Sequence, residues 1–186
     1  KYHTNGTDNV TVYDGDDFEA HNIERQLADA GPKVTALCDA LTQQGLSADL
    51  RHQYLNKGTF EAYLRRTNAL TGCMLVIAAV DNDATRKMLI DNLQEQSDNF
   101  LFVTPGNSDA ADMETSIKGN VLWFGNDNGT PIGIDPSILF PNIEKPTDNI
   151  PRRGGCMEHA PSTPQLITAN ALAAAYTLAV VQNFLD

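Results

Sequence analysis

The residues with the most chemistry in them cluster early in the chain. There Thr11-Val12-Tyr13 empties into Asp14-Gly15-Asp16-Asp17-Phe18-Glu19 and then, past Asn22, into Arg25-Gln26. The β-branched run predicts a short buried strand over Val10–Tyr13. A carboxylate at the carboxyl end of a parallel strand stands where open α/β sheets take ligands. Asp14 is then placed to accept hydrogen bonds from a ribose, with Asp16 beside it, and Arg25 to meet a phosphate. A second set follows the same logic, because the apolar run 73–80 ends directly at Asp81-Asn82-Asp83, with Arg86 close behind. Asp81 or Asp83 alone reads as the N-cap of the next helix, but a cap does not require both. The competing local reading of such carboxylates is a solvated turn.

The elements that must position these residues can be taken in order. Val34, Leu37, Cys38 and Leu41 keep helical spacing, Pro32 suits a first turn, and Gly45 ends the helix. Lys33 therefore falls at a helix start, where the dipole does not favour a cation, so it is either a plain surface lysine or a residue with an anionic partner. Residues 48–55 alternate as a strand, 56–71 read as a helix around Phe60, Tyr63 and Leu64, and 73–80 are hydrophobic enough for the centre of a parallel sheet. A further buried strand is predicted at 100–104, and another at 117–124 that pairs antiparallel. Residues 125–155 carry repeated Gly and Pro and read as one long loop. Thr163 caps and Pro164 opens a closing helix through Leu185, apolar nearly all round and therefore expected between the sheet and a second subunit. The pattern predicts an α/β fold with a mostly parallel sheet, flanking helices, and antiparallel strands toward the C-terminal half.

Composition bounds the partners. The chain has 186 residues, enough for one domain with a substantial core. Its 24 acidic and 13 basic residues give a formal charge of -11, which argues against a nucleic-acid-binding surface. Cys38, Cys73 and Cys156 are odd in number and form no Cys-x-x-Cys pair, so a disulfide framework is not expected and a reducing, cytoplasmic setting is. The most apolar stretch, 166–185, is interrupted by Asn170, Gln182 and Asn183, which points to a buried helix and no membrane span. No signal peptide is visible, and the chain opens at Lys1 without an initiator methionine, as a fragment or processed form would.

Taken together, the run Asp14-Gly15-Asp16-Asp17-Phe18-Glu19-Ala20-His21-Asn22-Ile23-Glu24-Arg25-Gln26 resembles the Asp-x-Asp-x-Val-Glu-x-Ser-Asn-Leu-x-Arg-Gln signature of the ThiF/MoeB/ubiquitin-activating-enzyme superfamily. Gly31-Pro32-Lys33-Val34 is similar to its Gly-x-Pro-Lys-Ala element, and Val80-Asp81-Asn82 with Arg86 to its Thr-Asp-Asn…Arg element. The order of the three elements is kept. Residues 102–107, 119–121 and 161–162 look most like the ThiF-type proteins of the bacterial PRTRC group.

The resemblance implies a single Rossmann-like adenylation domain that uses ATP and Mg²⁺ to activate the C-terminal carboxylate of a small ubiquitin-like or ThiS-like protein, and that works as a homodimer. Asp14 would hold the ribose hydroxyls; Asn22, Arg25 and Gln26 would face the triphosphate, with Asp16 and Asn82 also at the nucleotide. Lys33 would neutralise the α-phosphate, Asp81 would bind Mg²⁺, and Cys156 would be the thioester-forming nucleophile. The sequence departs from the family at three points. The strand and glycine-rich loop that precede the acidic strand do not occur in residues 1–9, the run from Gln26 to Gly31 is short, and the zinc-binding Cys-x-x-Cys pairs are absent, so zinc is not expected. Two other readings stay open: a nicotinamide-dependent oxidoreductase with Asp14 on the adenosine ribose, and a non-catalytic ThiF-like scaffold that binds a partner.

Overall fold

The structure, a computed structural model, describes residues 10–17, 31–43, 48–67, 72–107, 119–151 and 167–185. They fall into two compact units, each taken by itself. The smaller is a βαβ unit: β1 (Val10–Tyr13), α1 (Lys33–Gln43) and β2 (Ala48–Arg51). β1 and β2 pair in parallel, Val10 opposite Ala48 and Tyr13 opposite Arg51. Parallel neighbours need a crossover, and α1, which packs on β2, lies within it. Val34 is the buried anchor of α1. The strand expected over 48–55 stops at Arg51, just beyond which the Gln53 amide turns back onto the Arg51 carbonyl at 2.8 Å.

The larger unit holds α2 (Lys57–Thr67), β3 (Met74–Ile77), α3 (Asp83–Gln96), β4 (Phe100–Asn107), β5 (Gly119–Asp127), β6 (Thr130–Gly133), the short helices α4 (Pro136–Leu139) and α5 (Pro141–Glu144), and α6 (Ile167–Leu185). Its sheet runs β3-β4-β5-β6, with β3 parallel to β4 and the other two pairings antiparallel. The fold is thus α/β with parallel and antiparallel pairings in equal measure among the described residues, where a mostly parallel sheet was expected.

The centre of this sheet is β4 and not, as the hydrophobicity of 73–80 predicted, β3. Phe100, Leu101, Phe102, Val103 and Thr104 are all buried. Successive strand residues face opposite sides, so five in a row means cover on both faces. α3 and α6 are helices that pack on β4. Met88, Leu89, Ile90 and Leu93 are the buried residues of α3, and Phe60 and Leu64 of α2, which packs on α3. Phe124 of β5 meets Phe100 and Phe102 edge-on, with ring centroids 5.4 and 5.7 Å away. β3 instead lies at the edge, with Leu75 and Ile77 exposed. Hydrophobic runs of this kind do not by themselves distinguish a central strand from an apolar edge.

Part of the loop expected over 125–155 is ordered structure. Asn128 and Gly129 carry φ of 50° and 86°, the two left-handed residues of a two-residue hairpin turn, and they fold β6 back on β5. α4 and α5 follow, with Asp135 capping α4 through the Ser137 amide at 2.9 Å. α6 buries Ala169 and Thr177 and exposes Leu172, Tyr176 and Leu178. Among the described residues no helix is long and apolar enough to cross a membrane. Thr163 and Pro164, expected at its start, lie outside the described residues.

The asymmetry between a doubly covered strand and an exposed short helix is measurable. Phe102→Ala should lower the unfolding free energy of the larger unit by about 3–5 kcal/mol, read from urea melts. Ile138→Ala, at a side chain 73% exposed, should change it by no more than roughly 0.5 kcal/mol.

Candidate functional site

In the smaller unit the carboxylates stand just beyond the carboxyl end of β1. The Asp14 amide donates to the Arg51 carbonyl at 3.2 Å, extending the β1–β2 ladder by one step. Its side chain then turns inward, and Oδ1 accepts the Asp16 amide at 2.8 Å. Gly15, between them, lies under the Tyr54 ring: a Cβ there would come within 2.7 Å of it, so only glycine leaves room. The Tyr54 hydroxyl donates to Asp16 Oδ1, and Lys33 Nζ donates to Oδ2 at 2.9 Å. The Lys33 amide also donates to the Asp16 carbonyl at 3.0 Å, so the start of α1 is tied to Asp16 through both backbone and side chain. Asp17 Oδ1 lies 3.3 Å from His52 Nε2.

The structure sets Asp14, Asp16 and Lys33 near one another, and it gives Lys33 an anionic partner, Asp16, from within the chain, where the resemblance implied a phosphate. Tyr54 and His52 were missed. They fall in the segment read as the second half of a strand, whereas parallel pairing of β1 and β2 sets the residues after Arg51 beside those after Tyr13. Asn22, Arg25, Gln26 and Cys156 lie outside the described residues. Cys73 is half-buried, and burial is the main reason its thiol is pushed up to about 11.

Electrostatics follow from this packing. Burial raises the Asp14 carboxyl above its ordinary range, opposed by the Asp16 amide and the Lys33 ammonium. The Tyr54 phenol is pushed up to about 12, first because the Asp16 carboxylate holds its proton. A half-buried carboxylate with an ammonium and a phenol close by can accept hydrogen bonds from ligand hydroxyls and offer a cation to a ligand anion.

In the larger unit a second set lies where β3 ends and α3 begins. Asn82 is the N-cap, its side-chain oxygen accepting the Thr85 amide at 2.8 Å. The expectation that Asp81 or Asp83 caps α3 is thereby corrected. The Asp83 and Ala84 amides go to the two oxygens of Asp148 at 2.7 and 2.8 Å. Asp83 accepts from Arg86 Nη1 at 2.7 Å. The first-turn donors of α3 thus all have acceptors without Asp81, whose exposed carboxylate makes no hydrogen bond or ion pair with any described residue. A cavity of about 370 Å³ adjoins this turn, lined by Asp83, Arg86, Thr104, Asn120, Phe140 and Ile143 among others. Among the described residues no group of three or more His, Cys, Asp or Glu could hold a metal ion.

Comparison with protein-family models, with curated proteins and with solved structures returns no match in any of the three.

The raised Asp14 carboxyl has a signed consequence. A folded-state pKa above the unfolded value means the native state holds the proton more tightly. This group's contribution to stability is therefore full below the ordinary value of 3.8 and falls as pH rises through the folded value. Asp14→Asn, which can still accept the Asp16 amide, should raise the urea midpoint at pH 7, and the gain should disappear as pH is lowered below 3.8. In alkaline spectrophotometric titration one phenol should ionise near 12 and shift toward 10 in Asp16→Asn.

Proposed function

We propose that this chain is an ATP-dependent adenylyltransferase of ThiF type that activates the C-terminal carboxylate of a small ubiquitin-like or ThiS-like protein. The observation that carries the reading is the pairing of ordered motif with position. Asp14 stands just past the end of parallel strand β1, with Lys33 and Asp16 beside it, and Asp81 stands past the end of parallel strand β3 with its carboxylate unengaged. The two β-α-β segments, β1-α1-β2 and β3-α3-β4, support a Rossmann-like fold.

In this mechanism Asp14 accepts hydrogen bonds from the ribose hydroxyls of ATP, and Asn22, Arg25 and Gln26 meet the triphosphate. The substrate carboxylate oxygen attacks the α-phosphorus, forming an acyl–phosphate bond while the bond to the pyrophosphate oxygen breaks and takes the electron pair. No proton moves in that step. Lys33 neutralises charge gathering on the α-phosphate, a task for a positioned cation. Its ion pair with Asp16 holds the ammonium in place at the start of α1. The Asp81 carboxylate, hard, exposed and unpaired, fits Mg²⁺, which takes one or two carboxylates and fills its shell with water and phosphate oxygen. Asp81 would hold a Mg²⁺ ion there, and that ion would supply charge stabilisation at the phosphates. Cys156 is the candidate thioester nucleophile. The exposed apolar residues Leu172, Tyr176 and Leu178 of α6 support a homodimer as the working form. We place the protein in the cytoplasm on its cysteine usage, with no nucleic-acid or membrane partner.

One observation favours a non-catalytic scaffold as the second reading: Lys33 is already neutralised by Asp16 within the chain.

ATP–pyrophosphate exchange in the presence of a candidate ubiquitin-like partner decides between them. Wild type should exchange, and Asp81→Ala and Lys33→Ala should lose roughly 10²- to 10³-fold. Undiminished exchange in Asp81→Ala sinks the site assignment, ATP binding without exchange favours the scaffold, and binding of NAD in place of ATP sinks the family reading. A partner-dependent thioester should vanish in Cys156→Ser and survive in Cys38→Ser.

A further inference from the structure

We infer that Arg86 and Thr104 form a positioning clamp that fixes the backbone turn carrying Asp81, an inference that rests on the adenylation reading for its functional half. The β3 ladder on the β4 side ends where the Ala78 amide donates to the Val103 carbonyl at 2.8 Å. Beyond it the chain must leave the sheet, and its carbonyls lose their strand partners. Two side chains replace them. The Thr104 hydroxyl, fully buried at the end of the covered part of β4, donates to the Ala78 carbonyl at 3.0 Å. The same oxygen accepts from Arg86 Nε at 3.2 Å. Arg86 Nη2 in turn donates to the Val80 carbonyl, and Nη1 binds Asp83. On the other side of Asp81, the Asn82 side chain is spent on the Thr85 amide.

The residue between these two fixings is Asp81. Its backbone is gripped through the Val80 carbonyl before it and the Asn82 cap after it, while its own carboxylate makes no hydrogen bond or ion pair with any described residue. A held backbone under an unengaged carboxylate is the arrangement expected of a preorganised ligand group. Docking α3 does not require it, because Met88, Leu89, Ile90 and Leu93 already bury that helix. Taking a guanidinium down to 15% side-chain exposure is the costlier way to attach a helix. Arg86 and Thr104 are therefore positioning residues, acting through Asp81 and not on the substrate.

The test is a double-mutant cycle in ATP–pyrophosphate exchange on the full chain. Thr104→Val keeps the volume and removes the hydroxyl. It should lower kcat about 10- to 100-fold with little change in KM for the partner protein, and Thr104→Ser should recover most of that loss. Placed on Asp81→Ala, Thr104→Val should cost no more than about twofold further, since a clamp has nothing left to position. Additive losses would mean a general structural role and would overturn the inference. Amide hydrogen exchange of 80–84 in the unliganded protein is the readout that needs no catalysis. It should quicken in Thr104→Val and in Arg86→Gln while the protection of α3 residues 88–93 holds. If wild type shows no exchange with any partner, the adenylation reading fails; unchanged amide exchange then overturns the clamp, and localised quickening upholds it.

Discussion

Burial of β4 on both faces is the constraint from which the larger unit follows. A strand with Phe100 to Thr104 wholly out of water leaves every polar group on it in need of an internal partner. Backbone groups find theirs in β3 and β5. Thr104 alone among these five carries a side-chain hydroxyl, and burial obliges that hydroxyl to bond. It does so to Ala78 and Arg86, and through them it determines where the chain leaves β3. An apolar residue at the same place would leave the Ala78 carbonyl and Arg86 Nε without this partner. The packing constraint and the site geometry are in this sense one feature.

The smaller unit answers a different constraint, the gathering of Asp14, Asp16 and Asp17 within one turn. Like charges this close destabilise one another unless cations and donors intervene. Asp16 is answered by Lys33 and Tyr54 together, Asp17 lies 3.3 Å from His52 Nε2, and Asp14 is answered by the Asp16 amide and, at longer range, by the Lys33 charge. The consequence is a graded set. Asp16 is committed to holding the loop, whereas Asp14 accepts the Asp16 amide through Oδ1 and sits partly desolvated. Desolvation makes an ionised acceptor dearer to maintain and stronger once a hydroxyl reaches it.

Much of this was legible in the chain. The β-branched run gave β1, the three-four spacing with Pro32 gave α1, and a buried apolar run gave β4. Each of these is a local signal reinforced by burial. What misled was range: 48–55 and 73–80 look like full strands, yet a backbone turn at Gln53 follows the first and side-chain capture of the Ala78 carbonyl the second. Neither event is written in local propensity. The position of β3 at an edge depends on which strands neighbour it, a non-local matter. Asn128-Gly129 is a direct hairpin signal for β6, but the many glycines and prolines around it give the whole of 125–155 the composition of a loop. Tyr54 was missed because its partner, Asp16, is distant in sequence and meets it only through the parallel pairing of β1 with β2.

Carboxylates at a helix start are ambiguous because the helix itself wants them, both as caps and for its dipole. The start of α3 resolves the ambiguity by elimination. Asn82 serves one amide, Asp148 serves two, and Asp83 is turned to Arg86. Asp148 arrives from a segment 64 residues along the chain to do work that Asp81, immediately adjacent, leaves undone. A residue that the helix has not used, at the end of a parallel strand, between two points of fixed backbone, is where a purely structural account of this turn has nothing further to assign. Its exposure then carries weight that exposure alone would not, because the surrounding polar groups are satisfied and this one is held in place without being engaged.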